Sequence, residues 1–258
     1  MALDRAAFYD AELRRHQEHF RAALDVGPSD HVLDIGCGAG LTTREVACTA
    51  TDGSVVGVDV SAEMLEIARQ RIQEAGLHNI TFELGDAQVH HFPATHFDLC
   101  ISRFGTMFFA DPVAAFTNCG RGMRPGARLL QMVWQSHERN EWAVAIQDAL
   151  APARVSPAHV SPAFSLGDLA VTSRILGESG FTSIDFADVH APVFYGPDVD
   201  AAYDAVVALF LADDGCVESK EGKPEALKRL RALLEAHLTA DGVLFDSRAW
   251  IVTARKRG

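Results

Sequence analysis

VLDIGCGAG (residues 32–40) runs from a short apolar strand with a single carboxylate straight into glycines at 36, 38 and 40. HVLDI (31–35) reads as a buried strand and TTREVACTA (42–50) as the helix after the turn. Glycines permit a tight turn and let a ligand approach the backbone closely. The following helix start presents N–H groups without intrahelical partners. Strand, glycine turn and helix together describe a cofactor site at the carboxyl end of a first strand, beside a topological switch point.

The flanking sequence repeats the alternation. SVVGVDV (54–60) is a second strand, Ser61 a helix N-cap and Gly76 a helix stop. NITFELGD (79–86), HFDLCIS (96–102) and ARLLQMVW (127–134) are three more strands. A helix over 111–123 with Pro112 at its first position precedes the last of them. Nearly continuous apolar strands separated by helices predict a parallel sheet covered on both faces, and right-handed crossovers make it doubly wound. Residues 3–25 read as one charged amphipathic helix. Beyond 135, helices are expected over 140–152, 167–180, 198–212 and 224–238, a proline-containing loop over 155–165, and strands over 181–195 and 247–256. About fifty residues between those last two strands exceed an ordinary connection and read as a cap or substrate wall.

Composition bounds the function. The chain has 258 residues, 48% of them hydrophobic, enough for one large core. Its formal charge of −12 argues against general nucleic-acid binding, which needs a basic face. No apolar run approaches a membrane span and the charged start does not suit a signal peptide, so a cytoplasmic protein is expected. Five scattered cysteines (37, 48, 100, 119, 216) form no CxxC pair and read as reduced thiols. His16 with His19, and His90, His91 and His96, lack the partners a metal site requires, so no metal is expected.

The acids around the glycine turn discriminate between cofactors. Asp59 ends the second strand, where a carboxylate accepts from both ribose hydroxyls or caps the next helix. Asp34 precedes the turn, and Asp86 ends the third strand as ligand contact or plain turn residue. A nicotinamide fingerprint reads GxGxxG, whereas the third glycine here comes one residue early. A carboxylate beside the turn favours a cofactor with an ammonium over a pyrophosphate.

On VLDIGCGAG, VVGVDVS with Met64-Leu65, LGDAQ, FDLCISRFG and GMRPGARLL, residues 30–135 resemble a class I S-adenosylmethionine (SAM)-dependent methyltransferase of the small-molecule, quinone-biosynthesis-like branch. The run SRFGTMFFADPVAAF resembles a broad set of bacterial methyltransferases. The resemblance implies one Rossmann-like domain of seven mostly parallel strands with the last antiparallel. It implies a lid helix over 1–28, a cofactor core over 30–135, and substrate-cap segments over 136–166 and 196–246. It implies SAM as cofactor, with S-adenosylhomocysteine (SAH) as product. Gly36, Gly38 and Gly40 would line the methionine part and Asp34 its ammonium side. Asp59 would hold the ribose, Val60 and Met64 the adenine, Asp86 and Ala87 its polar edge, and the Ser102 backbone the methionine moiety.

Methyl transfer from a sulfonium needs alignment above all, and a base only where the acceptor keeps its proton. His137, after the fifth strand, and His16, on the N-terminal helix, are the candidate bases. Tyr9, Arg103, Trp134 and Tyr195 are candidate substrate contacts, Arg103 for an acidic group. SRFG replaces the Asn/Asp-Pro-Pro-aromatic run of nucleic-acid amino-methyltransferases, no paired-glutamate loop is present, and the later segments are aromatic. A small, mostly apolar metabolite in a closed pocket is the expected acceptor, handled by a monomer or homodimer. A catalytically silent SAM-binding homologue and a nicotinamide-dependent oxidoreductase are the alternatives.

Overall fold

The computed structural model describes residues 4–150, 161–211 and 223–258. Residues 155–160 of the expected proline-containing loop, and Cys216, lie outside them; residues 162–164 form a 3-10 turn.

The chain forms two compact units. The larger holds Gln17–Gln135, Ser161–Val189 and Ala249–Gly258. Its sheet contains β1 (His31–Ile35), β2 (Ser54–Asp59), β3 (Ile80–Leu84), β4 (Phe97–Arg103), β5 (Met123–Trp134), β6 (Phe181–His190) and, numbered last in the chain, β10 (Arg248–Lys256). The spatial order is β3-β2-β1-β4-β5-β10-β6. β1 pairs in parallel with β2 and β4, β2 with β3, and β4 with β5, while β10 runs antiparallel to β5. The expected seven-stranded, mostly parallel sheet with an antiparallel last strand is therefore present. The order reverses between β1 and β4, which opens a switch point at their carboxyl ends.

Local rules explain the connecting elements. Helix α3 (Leu41–Ala47) starts at Gly40. Helix α4 (Ala62–Ala75) is capped by Ser61, whose hydroxyl accepts from Met64 N, and stops at Gly76 with φ 66°. Helix α5 (Pro112–Gly122) has Pro112 in its first turn and Asp111 as N-cap. Thr43 of α3 bonds Asp34 on one sheet face, while Cys119 of α5 meets Cys100 on the other. Helix α7 (Leu169–Glu178) precedes β6. β3 lies at the sheet edge and buries only Phe82 fully, whereas four of the five residues of the central β1 are buried.

Three expectations change. The single N-terminal helix is two, α1 (Arg5–Glu12) and α2 (Arg14–Ala23), because Leu13 leaves helical geometry. The strand expected over 181–195 divides into β6 and β7 (Val193–Gly196), since Pro192 has no N–H for a ladder. Tyr195 therefore sits on β7, not at the end of the sixth strand. β7 belongs to a second sheet, ordered β7-β9-β8, with β8 (Leu238–Thr239) and β9 (Gly242–Phe245), that the sequence reading did not contain.

That second sheet lies in the smaller unit, formed by residues 1–16, 136–160 and 190–248. Helices α1, α6 (Glu141–Leu150), α8 (Val199–Phe210) and α9 (Lys223–Ala236) accompany it. Tyr195 is buried there between Phe8, at 6.0 Å, and Phe245, at 5.4 Å.

Candidate cofactor site

The glycine turn lies at the carboxyl end of β1, and its three glycines have different surroundings. Gly38 has φ +54° and a Cβ built on it meets nothing within 4 Å, so its backbone faces open space. A Cβ on Gly36 would lie 2.7 Å from Gly105 Cα, so the turn and the segment after β4 touch backbone to backbone. A Cβ on Gly40 would lie 2.9 Å from Phe82 Cζ and 3.1 Å from Ala68 Cβ. Gly40 is thus required by packing, whereas no neighbour requires a glycine at 38.

Asp59 braces this turn. One carboxylate oxygen accepts from Gly38 N at 2.8 Å and the other from Ser61 N at 2.8 Å. The helix-capping role considered for Asp59 falls to Ser61. A carboxylate has about four acceptor positions, so two remain for hydroxyl donors. Val60 beside it is 74% exposed, an open apolar surface of the kind an aromatic base covers, and Met64 is half-buried.

Asp34 is 2% exposed, and burial raises its carboxyl pKa from 3.8 to about 6. The Thr43 hydroxyl, donating at 2.6 Å, and the Arg103 guanidinium oppose that rise, while Asp59 adds to it. Cys37, inside the turn, is inert: burial, Asp34 and Asp59 all push its thiol upward, and it packs with Leu65, Ala68 and Phe82.

Asp86 is exposed, and its side chain closes a turn by accepting from Gln88 N at 2.9 Å. Ala87 is buried, and its carbonyl accepts from Asn118 of α5 at 2.9 Å. Asn118 also donates to His90 O at 2.7 Å, so α5 fixes the loop that follows β3.

Ser102 is wholly buried near the end of β4, and its hydroxyl has no hydrogen-bond partner among the described residues. Next to it, Phe104 adopts φ 59°, a left-handed conformation rare for a bulky residue, and its ring stacks on Trp134 at 4.1 Å. Thr106 donates to Gln131 of β5 at 2.7 Å and pins the same segment from below. Trp134 is 6% exposed. Arg103 donates through Nε to Thr42 at 3.3 Å.

The larger unit thus collects Asp34, Gly36, Gly38, Asp59, Ser102 and Arg103 at the carboxyl ends of β1, β2 and β4. Tyr9, His16, His137 and Tyr195 belong to the smaller unit. His137 is half-buried in a 3-10 turn, and Tyr9 on α1 is 39% exposed. His16 is fully buried, with Nε2 3.0 Å from Ser247 Oγ. Ser247 spends its proton on Ala191 O at 2.6 Å, so Nε2 of His16 is the donor to Ser247. Burial, with Glu12 and Tyr9 nearby, holds the Tyr195 phenol well above its ordinary pKa.

The sequence reading missed Gly105, Thr43, Asn118 and Gln131. Gly105 stood in the quoted SRFG motif and was the one with a visible signal, since a glycine directly after a strand suggests close backbone approach.

No group of three or more His, Cys, Asp or Glu able to hold a metal occurs among the described residues. No described helix is long and apolar enough to cross a membrane.

Residues 32–126 match a methyltransferase domain family. The demethylmenaquinone methyltransferase of Symbiobacterium thermophilum is 36% identical over 116 residues, 44% of this chain and 44% of that protein. The nocamycin O-methyltransferase of Saccharothrix syringae is 31% identical over 180 residues, 65% of this chain and 64% of that protein. The chain thus spans about half the length of the curated relatives it matches. The crystal structure of the YcgJ protein of Bacillus subtilis superposes with TM-score 0.63 at 20% identity, covering 94% of this chain and 97% of that one. Residues 32–126, from β1 into the start of β5, are thus similar to a methyltransferase domain, and the fold is shared with the solved structure over nearly the whole chain.

Proposed function

We propose that this protein transfers a methyl group from SAM to a small, mostly apolar metabolite, by in-line displacement, and releases SAH. One observation supports the reading above others: an open Gly38, a braced Asp59 and a buried Asp34 converge at the ends of neighbouring parallel strands. That set fits a nucleoside whose tail bears an ammonium. When bound, SAM supplies a methyl group already activated on a sulfonium.

In this reading the chain's residues bind and align. Asp59 keeps the turn in shape and offers its remaining lone pairs to the ribose hydroxyls. Val60 and Met64 cover the adenine, and Asp86 and Ala87 meet its polar edge. Gly36 and Ser102 form the floor beneath the methionine part, and Asp34 faces its ammonium. Alignment of this kind lowers a barrier by roughly 7–11 kcal/mol.

The two relatives' names describe methylation of a demethylmenaquinone and of nocamycin, which favours a small organic acceptor here. The charge of −12 disfavours nucleic acid. Tyr9, Trp134 and Tyr195 remain candidate acceptor contacts. His137 remains a base candidate, whereas the buried His16 ring is committed to Ser247.

Calorimetric titration with SAH, followed by a labelled-SAM screen of phenols, quinones and amines, tests the proposal. SAH binding with turnover of one acceptor class is the expected result. Thermal protection by NAD(H) and none by SAH would favour the oxidoreductase alternative. Tight SAH binding without any turnover would favour a catalytically silent homologue.

A further inference from the structure

The loop after β3 folds back onto the strand it leaves. Asp86 O accepts from Val89 N at 3.0 Å and from His90 N at 2.8 Å, a tight turn that returns the chain toward β3. The His90 ring then reaches Glu83 of β3, with Nε2 2.7 Å from a carboxylate oxygen. A carboxylate only accepts, so Nε2 carries the proton. Phe92, itself buried, packs on the same ring at 4.9 Å.

Gly85 lies beneath that ring. A Cβ built on it would sit 2.3 Å from His90 Nδ1 and 3.1 Å from His90 Cγ. Gly85 is not among the glycines with positive φ, so the ring, and not the backbone conformation, calls for a glycine there. Gly85 N also donates to Asp59 O at 3.0 Å, which joins the start of the loop to β2. Asn118 holds the far side through Ala87 O and His90 O, and Gln88 accepts from Asp111 N at 3.0 Å. Residues 85–87 are therefore fixed between α5, the end of β2 and one oriented imidazole.

Adenine presents an amino donor beside a ring-nitrogen acceptor. Hypoxanthine reverses both, with an oxygen acceptor beside an N–H donor. A site of fixed polar groups rejects such a reversal, because its own groups are left unpaired. Resting on the reading above, we propose that His90, oriented by Glu83, is a positioning residue for base selection. Its ring sets the path of Gly85, and with it the placement of Asp86 and Ala87 toward the polar edge of the base. His90 acts through Gly85 and not by touching the base. The sequence offered His90 only as one of three neighbouring histidines without metal partners.

The test compares SAH with S-inosylhomocysteine, its hypoxanthine analogue, by calorimetry. The wild-type protein should prefer SAH. His90→Leu, which keeps bulk but loses the N–H, should lower that preference by about fivefold, with the loss falling on SAH. His90→Gln, which keeps an N–H within reach of Glu83, should restore part of it. Glu83 is 41% exposed, so Glu83→Ala removes the same bond in a variant expected to fold, and should give the same loss. Gly85→Ala, which displaces the ring from below, should reproduce it by a second route. An unchanged preference in Glu83→Ala overturns the proposal. So does equal weakening of both ligands, which would report general damage to the site. If the wild-type protein binds SAH but does not prefer it, the cofactor reading stands and the role of His90 fails. If it binds neither ligand, the methyltransferase reading itself fails.

Discussion

The two ends of the larger sheet handle charge in opposite ways. At the amino end, Asp98 accepts from His31 N at 2.9 Å and from Arg124, and Arg128 reaches Asp30 at 2.8 Å. Burial would raise the Asp98 carboxyl, but the His31 N–H and Arg124 outweigh it and leave the group below its usual range. At the carboxyl end, Asp34 is buried near a second carboxylate, Asp59, and its pKa is raised to about 6. Phe104 is held at φ 59°, and two glycine backbones touch. Charges at one end stabilise the fold as they stand. Those at the other are tolerated, which is expected where a ligand completes the arrangement.

The largest effect expected from breaking this contrast is at Asp59. Its carboxylate accepts two backbone N–H groups, and hydrogen bonds to a charged group contribute roughly 1.5–3 kcal/mol each. Asp59→Ala should release the glycine turn and weaken SAH binding by about a hundredfold or more. Asp59→Asn, which keeps one acceptor, should fall between. Calorimetry reads both, and unchanged affinity in the alanine variant would remove the carboxyl end's claim to a cofactor.

The glycines come next, and they separate packing from binding. Gly36→Ala forces a Cβ to within 2.7 Å of Gly105 Cα at φ +68°, and should cost about 3 kcal/mol or more in denaturant unfolding. Gly38→Ala meets no neighbour, so its cost should be about 1 kcal/mol, from φ alone. It should nevertheless reduce SAH affinity, because the added methyl enters the open face. Equal destabilisation by the two substitutions would contradict the division between a packed and a ligand-facing glycine.

What the sequence made legible was local. The β1 strand, its turn, the Ser61 cap, Gly76 and Pro112 follow from rules acting over a few residues, and the structure has them all. Gly36 meeting Gly105, Thr43 meeting Asp34 and Asn118 holding the loop after β3 join residues distant in space-blind sequence, so no local pattern announces them. Strands of two to four residues in the second sheet are too short to show a period. Leu13 fits the apolar stripe of one long helix, so hydrophobic spacing hid the break there.

Asp34 offers the next test, through pH. Its folded pKa lies above its ordinary 3.8, the reverse of a salt-bridged carboxylate. Well below 3.8 it is protonated in both the folded and unfolded states and costs nothing. Between 3.8 and about 6 the unfolded chain gives up the proton while the folded state keeps it, so stability falls across that window by about 3 kcal/mol and is level above it. Asp34→Asn keeps an oxygen for Thr43 and removes the charge. The variant should therefore be more stable than wild type at pH 8, with the difference vanishing well below the ordinary 3.8, by denaturant midpoint. Its SAH affinity should be lower and nearly flat between pH 5 and 7, whereas wild-type affinity should rise with pH across that window as Asp34 ionises toward the ammonium. A wild-type affinity independent of pH there would remove Asp34 from the site.

The smallest effect belongs to the amino end and serves as the control. Asp98→Asn keeps an acceptor for His31 N and removes only the charge facing Arg124. Both partners are partly open to solvent, with side chains 44% and 25% exposed, so screening limits the loss to under about 1 kcal/mol. Because the folded pKa of Asp98 is depressed, this contribution is present above the unfolded pKa and disappears as the pH falls through the folded value. The variant should thus be slightly less stable at pH 7 and indistinguishable once the pH has fallen below the folded pKa, with SAH affinity unchanged throughout. A change in SAH affinity from this position would mean that the two ends of the sheet are coupled, and the contrast between them would no longer divide stability from binding.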